Sequence, residues 1–139
     1  MGAGLAWAQS RFMQTRPTHV YIVDDSKPVR ARLAHLLGSL RDVTVVGEAG
    51  SASEAIAGIL RIRPDSVLLD LNLLGSTGIE VMRKVRPAAP EVVFVVLTNH
   101  FEAQYRDACF NAGAAYFLDK SCDVDKVPGV IAEIAATRH

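Results

Sequence analysis

Apolar residues gather along the chain in two alternating kinds of segment. Short unbroken runs rich in β-branched residues occur at Val20–Val23, Val43–Val46, Val67–Leu69, Val92–Leu97 and Ala115–Leu118, their starts 23, 24, 25 and 23 residues apart. A run with no polar alternation has no face to give to water, so strands here are expected to be covered on both sides of a sheet. Between them apolar residues recur at helical spacing. The stripes are Val29, Leu33, Leu36, Leu37 and Leu40; Ile56, Ile59 and Leu60; Ile79, Met82 and Val85; Phe101, Tyr105, Ala108, Cys109 and Ala112; and Val127, Val130, Ile131 and Ile134. Ser51 with Glu54, and Thr77 with Glu80, fit the capping box that starts a helix. Asp125 is expected to cap the last helix, which puts Pro128 in its first turn, where a missing N–H breaks no helical bond. Arg63-Pro64, Arg86-Pro87 and Gly113 are expected stops.

Five β-α units in succession predict an α/β fold with a mostly parallel sheet and right-handed crossovers. At this size the simplest packing is a flavodoxin-like, doubly wound, five-stranded parallel sheet of order 2-1-3-4-5 with five helices. The domain is expected over residues 18–139, with residues 1–17 as an N-terminal extension or leader. That leader has Ala6 where a myristoylation signal needs Ser or Thr, and its apolar stretch is too short and broken for a signal peptide.

Composition narrows the classes. Of 139 residues half are hydrophobic and 22% charged, enough for a packed core. Fifteen basic residues balance fifteen acidic ones, so charge makes no case for binding nucleic acid or an anionic membrane. Cys109 and Cys122 have neither CxxC spacing nor a disulfide framework, which points to a reducing cytoplasm. No apolar run approaches the ~18 residues of a membrane span.

In a parallel sheet of this kind ligands bind beyond the carboxyl ends of the strands. Asp24 and Asp25 follow the first strand, Asp70 the third, Thr98 the fourth and Lys120 the fifth, so all five side chains are expected to rim one cleft. Each is weak alone. An Asp pair after a strand is commonly a turn with capping acids, Asp70 could be a turn residue, Thr98 a strand end satisfying nearby backbone, and Lys120 a solvated lysine. Together they converge. Three neighbouring carboxylates must share a proton or hold a cation, and hard oxygen donors suit Mg²⁺. Lys120 and Thr98 would then help hold a phosphoryl group on Asp70, whose carboxylate can be the nucleophile.

The Asp24-Asp25 pair, Asp70, Gly78 eight residues later, Thr98 and Lys120 resemble, in order and spacing, the receiver domain of two-component response regulators. The likeness covers about Thr18 to Thr137. It implies that Asp70 accepts a phosphoryl group from a sensor histidine kinase or a phosphotransfer protein. It implies Mg²⁺ (or Mn²⁺) held by Asp25, Asp70 and the backbone carbonyl of Asn72, with Asp24 binding directly or through water. Thr98 and Lys120 would bind phosphoryl oxygens, and Thr98 and Phe117 would switch the face formed by the fourth helix, fifth strand and fifth helix for a downstream effector. The same face could carry a homodimer. Asn72 and His100 occupy positions that tune dephosphorylation in the family.

Some positions depart from the family pattern. Leu74 stands where proline is frequent, which predicts a less rigid loop after Asp70. Asn99 stands where Ala or Gly is usual and would narrow access to Asp70. Ser121 stands where proline follows the lysine, often through a cis bond that costs a non-proline residue about 3 kcal/mol. Phe117 lacks a hydroxyl, so switching there would work through ring burial. Two other readings compete: a pseudo-receiver that only binds partners, and a phosphohydrolase resembling the haloacid dehalogenases. The latter needs a general acid where Asn72 stands. Only two residues follow Thr137, so no effector domain is expected within this sequence; a stand-alone receiver and a piece of a longer regulator both fit.

Overall fold

A computed structural model describes residues 16–137. The five strands are β1 (Thr18–Val23), β2 (Val43–Ala49), β3 (Ser66–Leu69), β4 (Val93–Thr98) and β5 (Ala114–Asp119). They form one parallel sheet of order β2-β1-β3-β4-β5, the expected doubly wound arrangement. The helices are α1 (Lys27–Gly38), α2 (Ala52–Ile62), α3 (Gly78–Val85), α4 (Ala103–Ala112) and α5 (Val127–Ala136). A two-residue antiparallel ribbon, Asn72–Leu73 against Ser76–Thr77, lies between β3 and α3; the apolar pattern carries no trace of it.

The unbroken apolar runs fill two cores, one on each face of the sheet. Val20 and Ile22 of β1, Leu68 of β3 and Val95 and Leu97 of β4 pack with Leu33 and Leu37 of α1 and Val127, Ile131 and Ile134 of α5. Their alternate neighbours Tyr21, Val23, Val67, Leu69, Phe94 and Val96 pack with Ala52, Ala55 and Ile59 of α2, Val81, Met82 and Val85 of α3 and Cys109 of α4. Each fully buried Leu, Ile or Val contributes about 1.5–3 kcal/mol, and a strand slipped by one residue would exchange the two sets. The sheet register is therefore tightly specified, and with it the height at which each strand ends.

Most helix signals act as read. Ser51 Oγ accepts from Glu54 N at 3.3 Å and Thr77 Oγ1 from Glu80 N at 3.3 Å. Gly113 closes α4 in the left-handed conformation, φ 117°, and Arg63 does the same for α2 at φ 52°. Asp125 does not cap α5. It falls inside a 3₁₀ turn, Val124–Lys126, and Lys126 precedes the helix without a side-chain cap. Asp123 organises that turn instead: its Oδ2 accepts from Asp119 N at 2.9 Å and its carbonyl from Lys126 N at 2.9 Å. Pro128 does sit in the first turn. Phe101, counted in the fourth stripe, lies before α4 and is 42% exposed; its ring stacks on Phe117 at 5.1 Å rather than entering the core. Residues 1–15 of the leader lie outside the described residues.

Candidate functional site

The backbone delivers each acid to the same end of the sheet. Asp24 N donates to Ala49 O at 3.1 Å, extending the β1–β2 pairing by one residue, and Asp70 N donates to Val23 O at 2.9 Å, doing the same for β3 against β1. Asp24 Oδ1 accepts from Ser26 N at 2.9 Å, and Ser26 Oγ accepts from Val29 N at 3.4 Å to start α1. The Asp24-Asp25 pair is thus fixed between a strand end and a capped helix. Lys120 N donates to Thr98 O at 2.9 Å, so the lysine leaves β5 beside the end of β4. Gly78 N donates to Leu71 O at 3.0 Å. A Cβ at Gly78 would overlap the backbone carbonyl of Asp70, which explains a glycine eight residues after this acid.

The side chains of Asp24, Asp70 and Lys120 meet. Lys120 Nζ lies 2.5 Å from Asp24 Oδ2 and 3.1 Å from Asp70 Oδ2. Asp24 is 2% exposed and Asp70 6%. Burial pushes the Asp70 carboxyl above its usual value; the Lys120 charge opposes this and the Asp24 charge adds to it. Burial alone would lower the Lys120 ammonium, but its hydrogen bond to Asp24 and the charges of both acids leave it raised. Asp25 is exposed and makes no hydrogen bond or ion pair among the described residues. One carboxylate oxygen each from Asp24, Asp25 and Asp70 lies within 4.8 Å of the others. Three hard oxygen donors at this separation suit a small divalent cation such as Mg²⁺ or Mn²⁺.

The remaining predicted residues surround this cluster in different ways. Thr98 is fully buried. Its Oγ1 accepts from His100 N at 3.1 Å, the backbone-satisfying arrangement open to any strand-end threonine. Asn99 is exposed. Asn72 Nδ2 and His100 Nε2 are 2.8 Å apart, so side chains from the loops after β3 and β4 bridge each other. Phe117 is half-buried, between Phe101 and Phe110 at ring distances of 5.1 and 6.3 Å. Leu74 has an exposed side chain, but its N donates to Gly50 O at 3.3 Å and its O accepts from Ala52 N at 3.2 Å. Backbone pairing to the β2–α2 connection thus restrains the loop that lacks a proline. No peptide bond among the described residues is cis; after Lys120 the turn is closed by Asp119 Oδ1, which accepts from Ser121 N at 2.9 Å and Ser121 Oγ at 2.6 Å.

One participant escaped the sequence reading. Arg30 of α1 donates through Nη1 to the backbone carbonyl of Asp24 at 2.6 Å and through Nε to Glu48 Oε1 at 2.8 Å. Its only sequence signal is a position six residues after the first acid, which no side-chain motif singles out.

Comparison with known proteins agrees with this architecture. The family model "Response regulator receiver domain" matches residues 20–132. DevR/DosR of Mycobacterium tuberculosis, a DNA-binding transcriptional activator, is 33% identical over 119 residues, covering 86% of this chain and 55% of that protein. Response regulator UvrY of Escherichia coli is 31% identical over 116 residues, covering 84% and 53%. The chain therefore spans about half the length of these curated relatives. Among solved structures, a LuxR-family two-component response regulator from Aurantimonas sp. superposes with a TM-score of 0.82 at 31% identity, covering 88% of each chain. The signal receiver domain of the putative response regulator NarL from Mycobacterium tuberculosis gives 0.81 at 26% identity, covering 87% of this chain and 98% of that one. No helix among the described residues is long and apolar enough to cross a membrane. Sheet order, family match and relatives above 30% identity all lead to one assignment: the chain belongs to the receiver domains of response regulators, the phosphoacceptor switches of two-component signalling.

Proposed function

We propose that Asp70 is the phosphoacceptor, taking a phosphoryl group from a histidine of a sensor kinase or phosphotransfer protein. The observation that carries this is the position of Asp70 at the end of the central strand, in one cluster with Asp24 and Asp25 and paired with Lys120 at 3.1 Å. An oxygen of the Asp70 carboxylate attacks phosphorus. The new P–O bond replaces the P–N bond of the donor, and the departing imidazole nitrogen ends protonated. Asp24, Asp25, Asp70 and the backbone carbonyl of Asn72 would hold Mg²⁺ or Mn²⁺. Such a cation, when bound, neutralises charge on the transferring group. Lys120, already against Asp70, is positioned to pair with a phosphoryl oxygen.

Thr98 Oγ1 accepts from His100 N, a bond that uses a lone pair and leaves the hydroxyl proton to be donated to that oxygen. Movement of Thr98 would open space toward β5, and Phe117, lacking a hydroxyl, would answer by ring burial. The Phe101–Phe117–Phe110 stack then repacks, which changes the α4–β5–α5 face offered to a downstream protein or to a second copy of the chain. This is a population shift between two packings. Asn72 and His100, already bridged, and the exposed Asn99 would set the access of water and donors to Asp70. Two free cysteines among the described residues fit work in a reducing cytoplasm.

The test is incubation with Mg²⁺ and acetyl phosphate or phosphoramidate, followed by intact mass. One added phosphoryl group is expected, lost in Asp70→Asn and after chelation. Absence of the adduct in the unaltered protein would make the chain an interaction module on a receiver scaffold, and multiple turnover of small phosphate esters would make it a hydrolase.

A further inference from the structure

Arg30 lies on α1, outside the acid cluster, yet its side chain is only 14% exposed and both of its hydrogen bonds run to the edge of the site. Nη1 holds the carbonyl of Asp24, the residue that contributes one carboxylate to the cluster and leads directly into Asp25. Nε is held by Glu48, the next-to-last residue of β2. Asp25 itself has no side-chain partner among the described residues, so its direction depends on the peptide that precedes it.

Neighbouring residues make room for this contact. A Cβ at Gly50 would come 2.9 Å from Arg30 Nη1 and 3.6 Å from the Asp24 carbonyl, so a larger residue at 50 would press on the guanidinium. The same short stretch of chain, Ala49 to Ala52, also bonds to the Asp24 amide and to both backbone groups of Leu74 in the loop after Asp70. The acid loops after β1 and β3 are therefore both moored to the end of β2, and Arg30 with Glu48 is the side-chain tie on the β1 side.

We infer that Arg30 is a positioning residue for the cation site, fixing the Asp24–Asp25 peptide so that both carboxylates point into the cluster. The fork of a guanidinium suits this, since one group must reach a carbonyl and a carboxylate together. The inference rests on the divalent-cation reading of the cluster given above.

The sign of one measurement separates positioning from a simple field effect. Removing a positive charge near a cation site strengthens cation binding if only the field matters. Removing an orienting partner weakens it, typically by about tenfold or more. Mg²⁺ and Mn²⁺ are titrated by calorimetry into the unaltered protein, Arg30→Ala and Arg30→Lys, with thermal unfolding recorded without cation for each. The expected result is roughly tenfold weaker binding in Arg30→Ala and a smaller loss in Arg30→Lys, which keeps the charge and one donor but not the fork. Unchanged or tighter binding in Arg30→Ala overturns the inference, whatever its unfolding temperature. If Arg30→Ala does not fold, Arg30→Lys decides: affinity equal to the unaltered protein overturns the inference, and a loss supports it. Failure of the unaltered protein to bind either cation overturns the cation reading of the site itself.

Discussion

Asp70 carries its charge at a disadvantage when no cation is bound. Burial and the Asp24 charge raise its carboxyl above 3.8, and Lys120 offsets only part of this. A carboxyl whose folded value is raised binds its proton more tightly in the folded state. Its contribution to stability is therefore present below the unfolded value and is lost as pH rises through the folded one. In cation-free buffer Asp70→Asn should accordingly unfold at a higher temperature than the unaltered protein at pH 7, and the gap should close as pH approaches 3.8. Scanning calorimetry at several pH values checks this; a lower unfolding temperature at pH 7 would mean the Lys120 contact outweighs burial. At this scale Asp24, Asp25, Asp70 and Lys120 were legible because each lies within two residues of the end of an apolar run. Arg30 was not, because its role depends on where α1 lies over the end of β1, and no spacing in the chain encodes that contact. Cys109 reads the same way at both levels: it lies on an apolar stripe, and burial pushes its thiol up to about 11, as inert core packing requires.

The starts of α2 and α3 were written in the sequence as capping boxes, and both hydroxyls do accept from the expected amide. Ser51 does more than cap. It bridges to Leu74 in the loop after Asp70, and its hydroxyl also donates to Glu54 Oε1 at 2.9 Å. Ser51→Ala is expected to lower stability by about 1 kcal/mol, the usual worth of an N-cap, measured by urea unfolding; no change would show that backbone pairing alone holds this helix start. The start of α5 was misread because two nearby aspartates compete for the turn. Asp123 wins by accepting from Asp119 N within a tight loop that sequence spacing does not distinguish from a helix cap. Phe101 continues the apolar period of the fourth stripe but lies before α4, where its ring is held by Phe117 across the surface.

For the molecule as a whole, folding brings Asp70 against the adjacent Asp24-Asp25 pair, so a cation held by all three would favour the folded state over the unfolded chain. Ligand binding to the folded state alone stabilises it, by ~2.7 kcal/mol at a hundredfold excess over the dissociation constant. Millimolar Mg²⁺ should therefore raise the unfolding temperature, a chelator should reverse the rise, and Asp25→Asn should abolish it. Asp25 is exposed and unpaired among the described residues, so that variant should leave the cation-free unfolding temperature unchanged. A Mg²⁺-induced rise that persists in Asp25→Asn would remove Asp25 from the cation site. Strand order, two-sided burial and the gathering of the acids at one end were determined by sequence alone, since continuous apolar runs admit few packings and four of the five runs end within two residues of a candidate site residue. Tertiary structure decided the rest: the Arg30 tie to Asp24, the Asn72–His100 bridge, the backbone moorings of Leu74 and the burial of Thr98. Most of these features bring together residues from separate strands and loops, and even the Arg30–Asp24 contact, six residues apart, takes its geometry from how α1 lies over the strand end once the register of five strands has set the height of every loop.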